Sequence, residues 1–273
     1  MVTGQRVTAT MTNKSLEHPE NLIVSIQVSL DGFSFFIKKS TDGLCIESKS
    51  FDFKNVHTPQ RALEEIQKIF EATPSLNQAF EEVIVLYANE LFTVVPKALF
   101  DENRLTDYLK FNTKILKTDF IVYDEIETLD LVNVYVPYTN INNFFFDHFG
   151  TFTYYHSQSI LLNSILSNAQ NKRAEVFVHF EKTSLTLIAY QGQKLLLSNQ
   201  FKFETPQDCI YYILFCYEQL QLDPEVHQLT LSGKISEDDA NYKLIYDYVR
   251  EVVLNNNSKE DHQSSFLKYQ LGL

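Results

Sequence analysis

Glycine is scarce in this sequence, with seven in 273 residues. Loops that wrap backbone amides around phosphate are built on glycine, because a Cβ blocks the close approach. The shortage therefore weighs against an enzyme that handles nucleotides. Cysteine is scarcer still: Cys45, Cys209 and Cys216 make an odd count without a CxxC pair, which gives neither a disulfide framework nor a zinc site. Cys209 and Cys216 share one face of a helical pattern and are expected to be buried core thiols, in a chain that belongs in the reducing cytoplasm. Basic residues are in the minority, 23 Lys and Arg against 35 Asp and Glu, for a net charge of −12. A nonspecific nucleic-acid binder would lack the cations that neutralise phosphate, and docking on an anionic membrane surface is opposed for the same reason. No apolar run approaches the ~18 residues of a membrane span. Met1 to Asn21 is polar and holds no apolar core of a signal peptide.

What is present is an ordinary globular composition, 44% apolar and 21% charged, at a length that suits one large domain or two lobes. The 22 Phe and 15 Tyr mostly alternate along strand-like segments, which is the pattern of core packing rather than base stacking. Leu22 to Leu30 is rich in β-branched residues, turns at Asp31-Gly32, returns over Phe33 to Ile37, and turns again at Thr41-Asp42-Gly43. Leu44 to Phe53 makes a third strand anchored by Ile46, Phe51 and Phe53. Thr58-Pro59 opens a helix with Ala62, Leu63, Ile66, Ile69 and Phe70 on one face, and Val83 to Tyr87 is a short buried strand.

The same order returns later. Ala174 to Phe180, Ser184 to Tyr190 and Lys194 to Phe203 are three strands; Thr205-Pro206 opens a helix to about Gln221, and Leu229 to Leu231 is the short strand. Phe51-x-Phe53 aligns with Phe201-x-Phe203, Thr58-Pro59-Gln60 with Thr205-Pro206-Gln207, and Ser34-Phe35 with Ser184-Leu185, all at an offset of about 150 residues. An internal duplication accounts for this ordered set. Between the copies lies an α+β insertion, 91–155: a strand ending at Pro96, a helix Leu99 to Phe111, strands Thr118 to Tyr123 and Leu131 to Val136, a helix Asn140 to Phe149 capped by Gly150, and a strand Phe152 to Tyr155. A connecting helix, His156 to Ala169, leads into the second copy. A last helix, Ser236 to Leu254, starts with Ser236 and Asp239 in capping-box spacing. The expected organisation is a flexible tail 1–21, a first lobe 22–155, a second lobe 156–254 and a flexible tail 255–273.

Two tandem βββαβα lobes with an insertion in the first resemble the actin-like ATPase (ribonuclease H-like) fold. That superfamily holds sugar kinases, heat-shock chaperone ATPases, actin and the actin-like proteins of type IV pilus assembly. The pilus proteins are similar in layout, and the sequence resembles an uncharacterised bacterial family assigned this fold. The resemblance implies an α/β fold and a phosphate loop in the first hairpin of each lobe, where an Asp serves Mg²⁺ or the attacking water and a Gly two residues on admits phosphate. Matched onto this sequence, the first Asp position holds Gln27 and its Gly position Ser29, while Asp31-Gly32 keep an acid and a glycine at the loop tip. In the second lobe the positions hold His179 and Glu181. The Gly-rich adenosine motif is reduced to Ser232-Gly233, with Lys234 in place of another glycine. Phosphoryl transfer depends on positioned charge and metal. The resemblance with these losses implies no catalytic residue, no resident metal, and ATP and Mg²⁺ disfavoured as cofactors.

Other clusters read as structural. His148 and His156 with Asp147 lack metal-ligand spacing, and helix-end or surface roles are expected. Asp124, Glu125 and Glu127 read as a solvated acidic turn. Glu237-Asp238-Asp239 favour a helix start. Ser232-Gly233 lacks the flanking glycine of a nucleophile elbow. The function expected is a non-catalytic, cytoplasmic adaptor or scaffold that binds a protein or peptide partner near Leu91 to Tyr155, with no nucleic acid and no membrane span. The alternative is a divergent ATPase or small-molecule kinase working in the cleft between the lobes.

Overall fold

The structure, a computed structural model, describes residues 1–7, 21–111, 113–116 and 119–255. These fall into two compact units, Met1–Asn163 and the described part of Ser164–Ser265. The first unit contains β1 (Val2–Thr3), β2 (Gln5–Val7), β3 (Leu22–Val28), β4 (Gly32–Lys39), β5 (Cys45–Asp52), α1 (Pro59–Ala72), β6 (Glu82–Tyr87), β7 (Phe92–Pro96), α2 (Leu105–Leu109), β8 (Val122–Ile126), β9 (Leu131–Tyr135), α3 (Thr139–Phe149), β10 (Phe152–His156) and most of α4 (Ser157–Ser167). The second contains β11 (Ala174–Phe180), β12 (Ser184–Gln191), β13 (Lys194–Lys202), α5 (Pro206–Gln219), β14 (Leu229–Gly233), α6 (Ala240–Tyr248) and β15 (Val252–Leu254).

Each unit is built on the same mixed sheet. In the first the order is β2-β10-β6-β3-β4-β5, and in the second β13-β12-β11-β14-β15. In both, an antiparallel three-strand meander is followed by a helix, and the next strand returns parallel to the first strand of the meander. The helices start as their sequences dictate. The Thr58 side chain accepts from the Arg61 N–H at the head of α1. Thr205 and Asp208 form a reciprocal capping box at the head of α5. Ala62, Ile66 and Phe70 turn one face of α1 into the core against Phe33, Phe144 and Phe145, where a fully buried apolar side chain of this size contributes about 1.5–3 kcal/mol. Cys209 and Cys216 lie in the core of the second unit beside Ile213 and Tyr217, and burial pushes their thiols up to about 12 and about 11.

Register fixes how the copies correspond. Gln27 pairs with Ser34 and Leu86, and His179 pairs with Thr186 and Ser232. Ser29 N–H donates to Gly32 O and Glu181 N–H to Ser184 O, so the two hairpins share one hydrogen-bond pattern. Gln27 is thus the counterpart of His179 and Ser29 of Glu181, as the sequence alignment places them. Ser34, however, corresponds to Thr186 and not to Ser184. A match of Ser-apolar pairs on alternating strands cannot resolve a slip of two, because every strand repeats its faces with that period.

Five further expectations are corrected. Met1–Val7 is not a flexible tail: β1 pairs with β8 and β2 with β10; the rest of both expected tails, 8–20 and 256–273, lies outside the described residues. The helix expected over 99–111 shrinks to α2, because the Asp101 side chain accepts from Asn103 N–H and the Tyr108 hydroxyl bridges Asp101 N–H and Leu99 O, holding a turn there. The strand expected over 118–123 begins later and runs to Ile126. The helix expected to reach Leu254 ends at Tyr248, and Val252, Val253 and Leu254 add a parallel strand to β14. Ile46, expected as an anchor, is exposed on the edge strand β5. The inserted segment also divides: β7, β8 and β9 join β1 in a separate sheet over their own core of Val95, Leu109, Val132 and Val134, while β10 enters the main sheet beside β6.

Candidate functional site

The eight residues matched to phosphate loops assemble into two groups, one in each unit. In the first, Gln27 is half-buried near the end of β3, and Ser29, Asp31 and Gly32 form the tight turn into β4. Ser29 organises this turn. Its hydroxyl oxygen accepts from the backbone N–H of Asp31 at 3.1 Å and of Gly32 at 3.0 Å. Its backbone N–H donates to Gly32 O at 3.0 Å. The Asp31 carbonyl accepts from Phe53 N–H. The loop-tip amides that could meet an anion are therefore already satisfied by a side chain of the same loop, an ST-type turn.

In the second unit the group is tied together across β11 and β14. His179 is buried, with Nδ1 3.4 Å from Ser232 Oγ and Nε2 3.5 Å from Glu181 Oε1. Gly233 pairs with Phe180 in the parallel ladder at a φ of 86°. A Cβ on Gly233 would sit 2.3 Å from Phe180 O and 2.8 Å from His179 Cε1. Lys234 N–H donates to Phe180 O at 2.7 Å. Glycine here is demanded by the approach of its own sheet.

A third group was missed by the sequence reading. Asp124, expected in a solvated turn, is fully buried, and so are Asn133, His156 and Ser159. The Asp124 carboxylate accepts from Ser159 Oγ–H at 2.6 Å, from the His156 backbone N–H at 2.8 Å and from Tyr135 O–H at 3.0 Å. Asn133 Nδ2 donates to Ser159 Oγ at 2.9 Å. His156 stands at a helix end, as expected, at the head of α4, but it is not at the surface: it is sealed between the rings of Phe92 and Tyr135. Gln158 N–H donates to its Nδ1 at 3.1 Å, so the proton of the neutral ring resides on Nε2 and is donated to Asn89 O at 3.1 Å. Burial pushes Asp124 up to about 7 and His156 down to about 3. The signal was available: in Val122–Ile126 the side-chain period of two puts Asp124 on the same face as Val122 and Ile126, which point inward. The group lies at the first turn of α4, whose N-terminal N–H groups have no helical partner of their own. The His156 ring thus accepts from the first turn of α4, and Asp124 braces that end through the Ser159 hydroxyl.

Residues 11–252 match the family described as Protein of unknown function (DUF3822). The chain belongs to that family. Among solved structures, it is similar to a Bacteroides thetaiotaomicron VPI-5482 protein with actin-like ATPase fold and unknown function, at a TM-score of 0.82 and 18% identity, over 93% of this chain and 96% of that one. It is also similar to a chain of the PilM–PilN type IV pilus biogenesis complex, at a TM-score of 0.59 and 12% identity, over 93% of this chain and 98% of that one. No curated protein matches it. Identities at this level establish the fold alone, and the fold is the actin-like ATPase fold, α/β with mixed sheets, as the sequence resemblance implied.

Within this member of the family the histidines play unrelated parts. His148 sits against Phe70, Phe144 and Phe149 with Nε2 3.2 Å from Leu76 O, while His156 belongs to the Asp124 group. Among the described residues no group of three or more His, Cys, Asp and Glu side chains is placed to hold a metal ion, and no helix is long and apolar enough to cross a membrane.

Proposed function

We propose that this protein is a cytoplasmic, non-catalytic member of the actin-like fold that serves as an adaptor or scaffold for a partner protein. The observation that carries the reading is the first hairpin. Its Asp31 and Gly32 amides are held by the Ser29 hydroxyl, and the matching position of the second hairpin holds the carboxylate of Glu181. Phosphate would have to displace Ser29 in one loop and meet a like charge in the other. Gln27 and His179 stand where the family resemblance puts metal-binding acids, and neither supplies a carboxylate. These residues do not fit Mg·ATP, and no step of phosphoryl transfer is assigned to them. The partner reading rests on fold likeness: a chain of this fold stands in the PilM–PilN complex, and the same use is proposed here, with the partner near Leu91 to Tyr155.

Thermal unfolding with and without millimolar Mg·ATP tests this. The expected result is an unchanged melting temperature. A ligand at 100 times its Kd adds about 2.7 kcal/mol, and an upward shift of that size would return the protein to the divergent ATPase or kinase reading.

A further inference from the structure

We propose that the outer face of α5 is a docking surface for a partner protein that presents a basic amphipathic helix. The internal duplication supplies the comparison that carries the inference. α1 and α5 are the same element in the two units: each has 14 residues, starts at a Thr-Pro cap and follows an antiparallel meander. Counted from that cap, their inward residues correspond in kind. Ala62, Ile66 and Phe70 of α1 answer to Cys209, Ile213 and Tyr217 of α5, and all six are buried. The outward residues differ. On α1 they are charged and ion-paired, Arg61 with Glu64 at 2.9 Å and Lys68 with Glu65 at 2.7 Å. On α5 the positions of Glu64, Glu65 and Lys68 hold Tyr211, Tyr212 and Phe215. A solvated, charged face satisfies the fold in the first unit, so the aromatic face in the second needs another cause. Helix stability does not supply one, because pairs three or four residues apart contribute similar small amounts whether they are charged or aromatic.

Tyr211 and Phe215 are 61% and 42% exposed and stack with ring centres 5.9 Å apart. Tyr211 also meets Tyr212 at 5.5 Å, and Tyr212 stacks at 4.5 Å on Phe201 of β13, an edge strand of its sheet. Scattered exposed apolar residues are ordinary, but these rings form one surface from the helix to the sheet edge. Its charge is of one sign. α5 contains no Lys or Arg, and Asp208 and Glu218 lie on the Tyr211–Phe215 stripe, three residues before the one and three after the other. A helix laid along this stripe would cover aromatic side chains of the kind that anchor interfaces. Lys or Arg at its rim would meet both acids. A second copy is a poorer occupant, because two α5 stripes face to face would bring acids against acids with no cation on either helix. Anionic bilayers and nucleic acids are opposed by the same acids. The surface is additional to the one proposed near Leu91 to Tyr155.

The test uses the whole chain and a synthetic peptide as long as α5, built of Leu and Lys with the leucines along one helical face and one Trp among them. The chain has no Trp, so the fluorescence of the peptide reports binding. The wild type is expected to bind this peptide at physiological salt. It is expected to bind a scrambled peptide of the same composition, and a Leu/Glu peptide of the same pattern, at least about tenfold more weakly. Tyr211→Glu/Phe215→Lys gives α5 the residues of α1 and leaves the net charge unchanged. This variant is expected to lose at least about tenfold in affinity, as the removal of central aromatic anchors does, with an unchanged melting temperature because both side chains are exposed. Glu218→Lys, which leaves every ring in place, is expected to weaken binding of the Leu/Lys peptide and to improve that of the Leu/Glu peptide. Four results would overturn the proposal: a wild type that does not bind the Leu/Lys peptide, equal binding of the ordered peptide and either control, affinity indifferent to both variants, or sedimentation velocity in which the wild type pairs with itself and Tyr211→Glu/Phe215→Lys does not.

Discussion

Gly233→Ala is expected to lower the melting temperature by roughly 6–12 °C, the equivalent of about 3 kcal/mol for a chain of this size. Two costs combine. At a φ of 86° a non-glycine residue is strained by about 1–2 kcal/mol. The new Cβ would also lie 2.3 Å from a backbone oxygen, Phe180 O, which cannot rotate aside as a side chain could. Relief requires opening the β11–β14 ladder where Phe180 faces Gly233 and where Phe180 O also receives Lys234 N–H. Gly43→Ala provides the control, because its φ of 72° carries similar strain while nothing lies within 4 Å of the added Cβ. Differential scanning calorimetry of the two variants separates strain from collision. Equal losses would dispose of the packing account of Gly233. The position also bears on function: the glycine matched to a Gly-rich motif by resemblance has here a cause internal to the sheet.

The fold was largely legible because its signals are local and repeated. Thr58-Pro59 and Thr205-Pro206 are helix starts by side-chain chemistry, and both cap their helices as expected. The duplicated strand order emerged from alternation and turns. Legibility failed where two structures fit one pattern. Val252–Leu254 continues the apolar periodicity of α6 but also suits a strand, and only the unpaired flank of β14 decides between them. Met1–Val7 is polar and short, yet it pairs with two different sheets, one through β1 and one through β2, and no composition rule anticipates such long-range partners. Of the matched loop residues, Ser29 was read as a lost glycine. Its hydroxyl bonds to Asp31 and Gly32 depend on the turn geometry, which a one-residue comparison does not contain. Asp124 failed for another reason: an acid beside Glu125 and Glu127 was read by composition, when the period of two should have outweighed it.

Asp124 and His156 are expected to make stability respond to pH in opposite directions, so that removing either exposes the other. Desolvation raises Asp124 to about 7 because its three partners are neutral donors and no cation faces it; Tyr135, Tyr154 and Tyr155 are the titratable side chains that feel its charge, with His156 beside them uncharged. The folded state then holds the Asp124 proton more tightly than the unfolded chain does, and its contribution, full below about pH 4, is lost as pH rises to about 7. Desolvation lowers His156 to about 3 and outweighs the bond to Asn89 O, which favours the charged ring. Its contribution is full above about pH 6.5 and is lost as pH falls towards 3. Between about pH 4 and 6.5 both states therefore carry one proton on this pair, on histidine when unfolded and on Asp124 when folded, and the two slopes of about 1.4 kcal/mol per pH unit cancel. Asp124→Asn, which keeps the shape and lets the Ser159 and Tyr135 hydroxyls reorient, removes one slope. Its deficit relative to wild type is expected to be smallest near pH 8 and to grow by about 3 kcal/mol by pH 5. His156→Gln should tilt the other way, with stability relative to wild type improving as pH falls. Urea unfolding at several pH values reads both differences, and exposed groups common to all three proteins drop out of the comparison. Parallel pH profiles for wild type and Asp124→Asn would mean that burial does not hold a proton on the Asp124 carboxyl in the folded state.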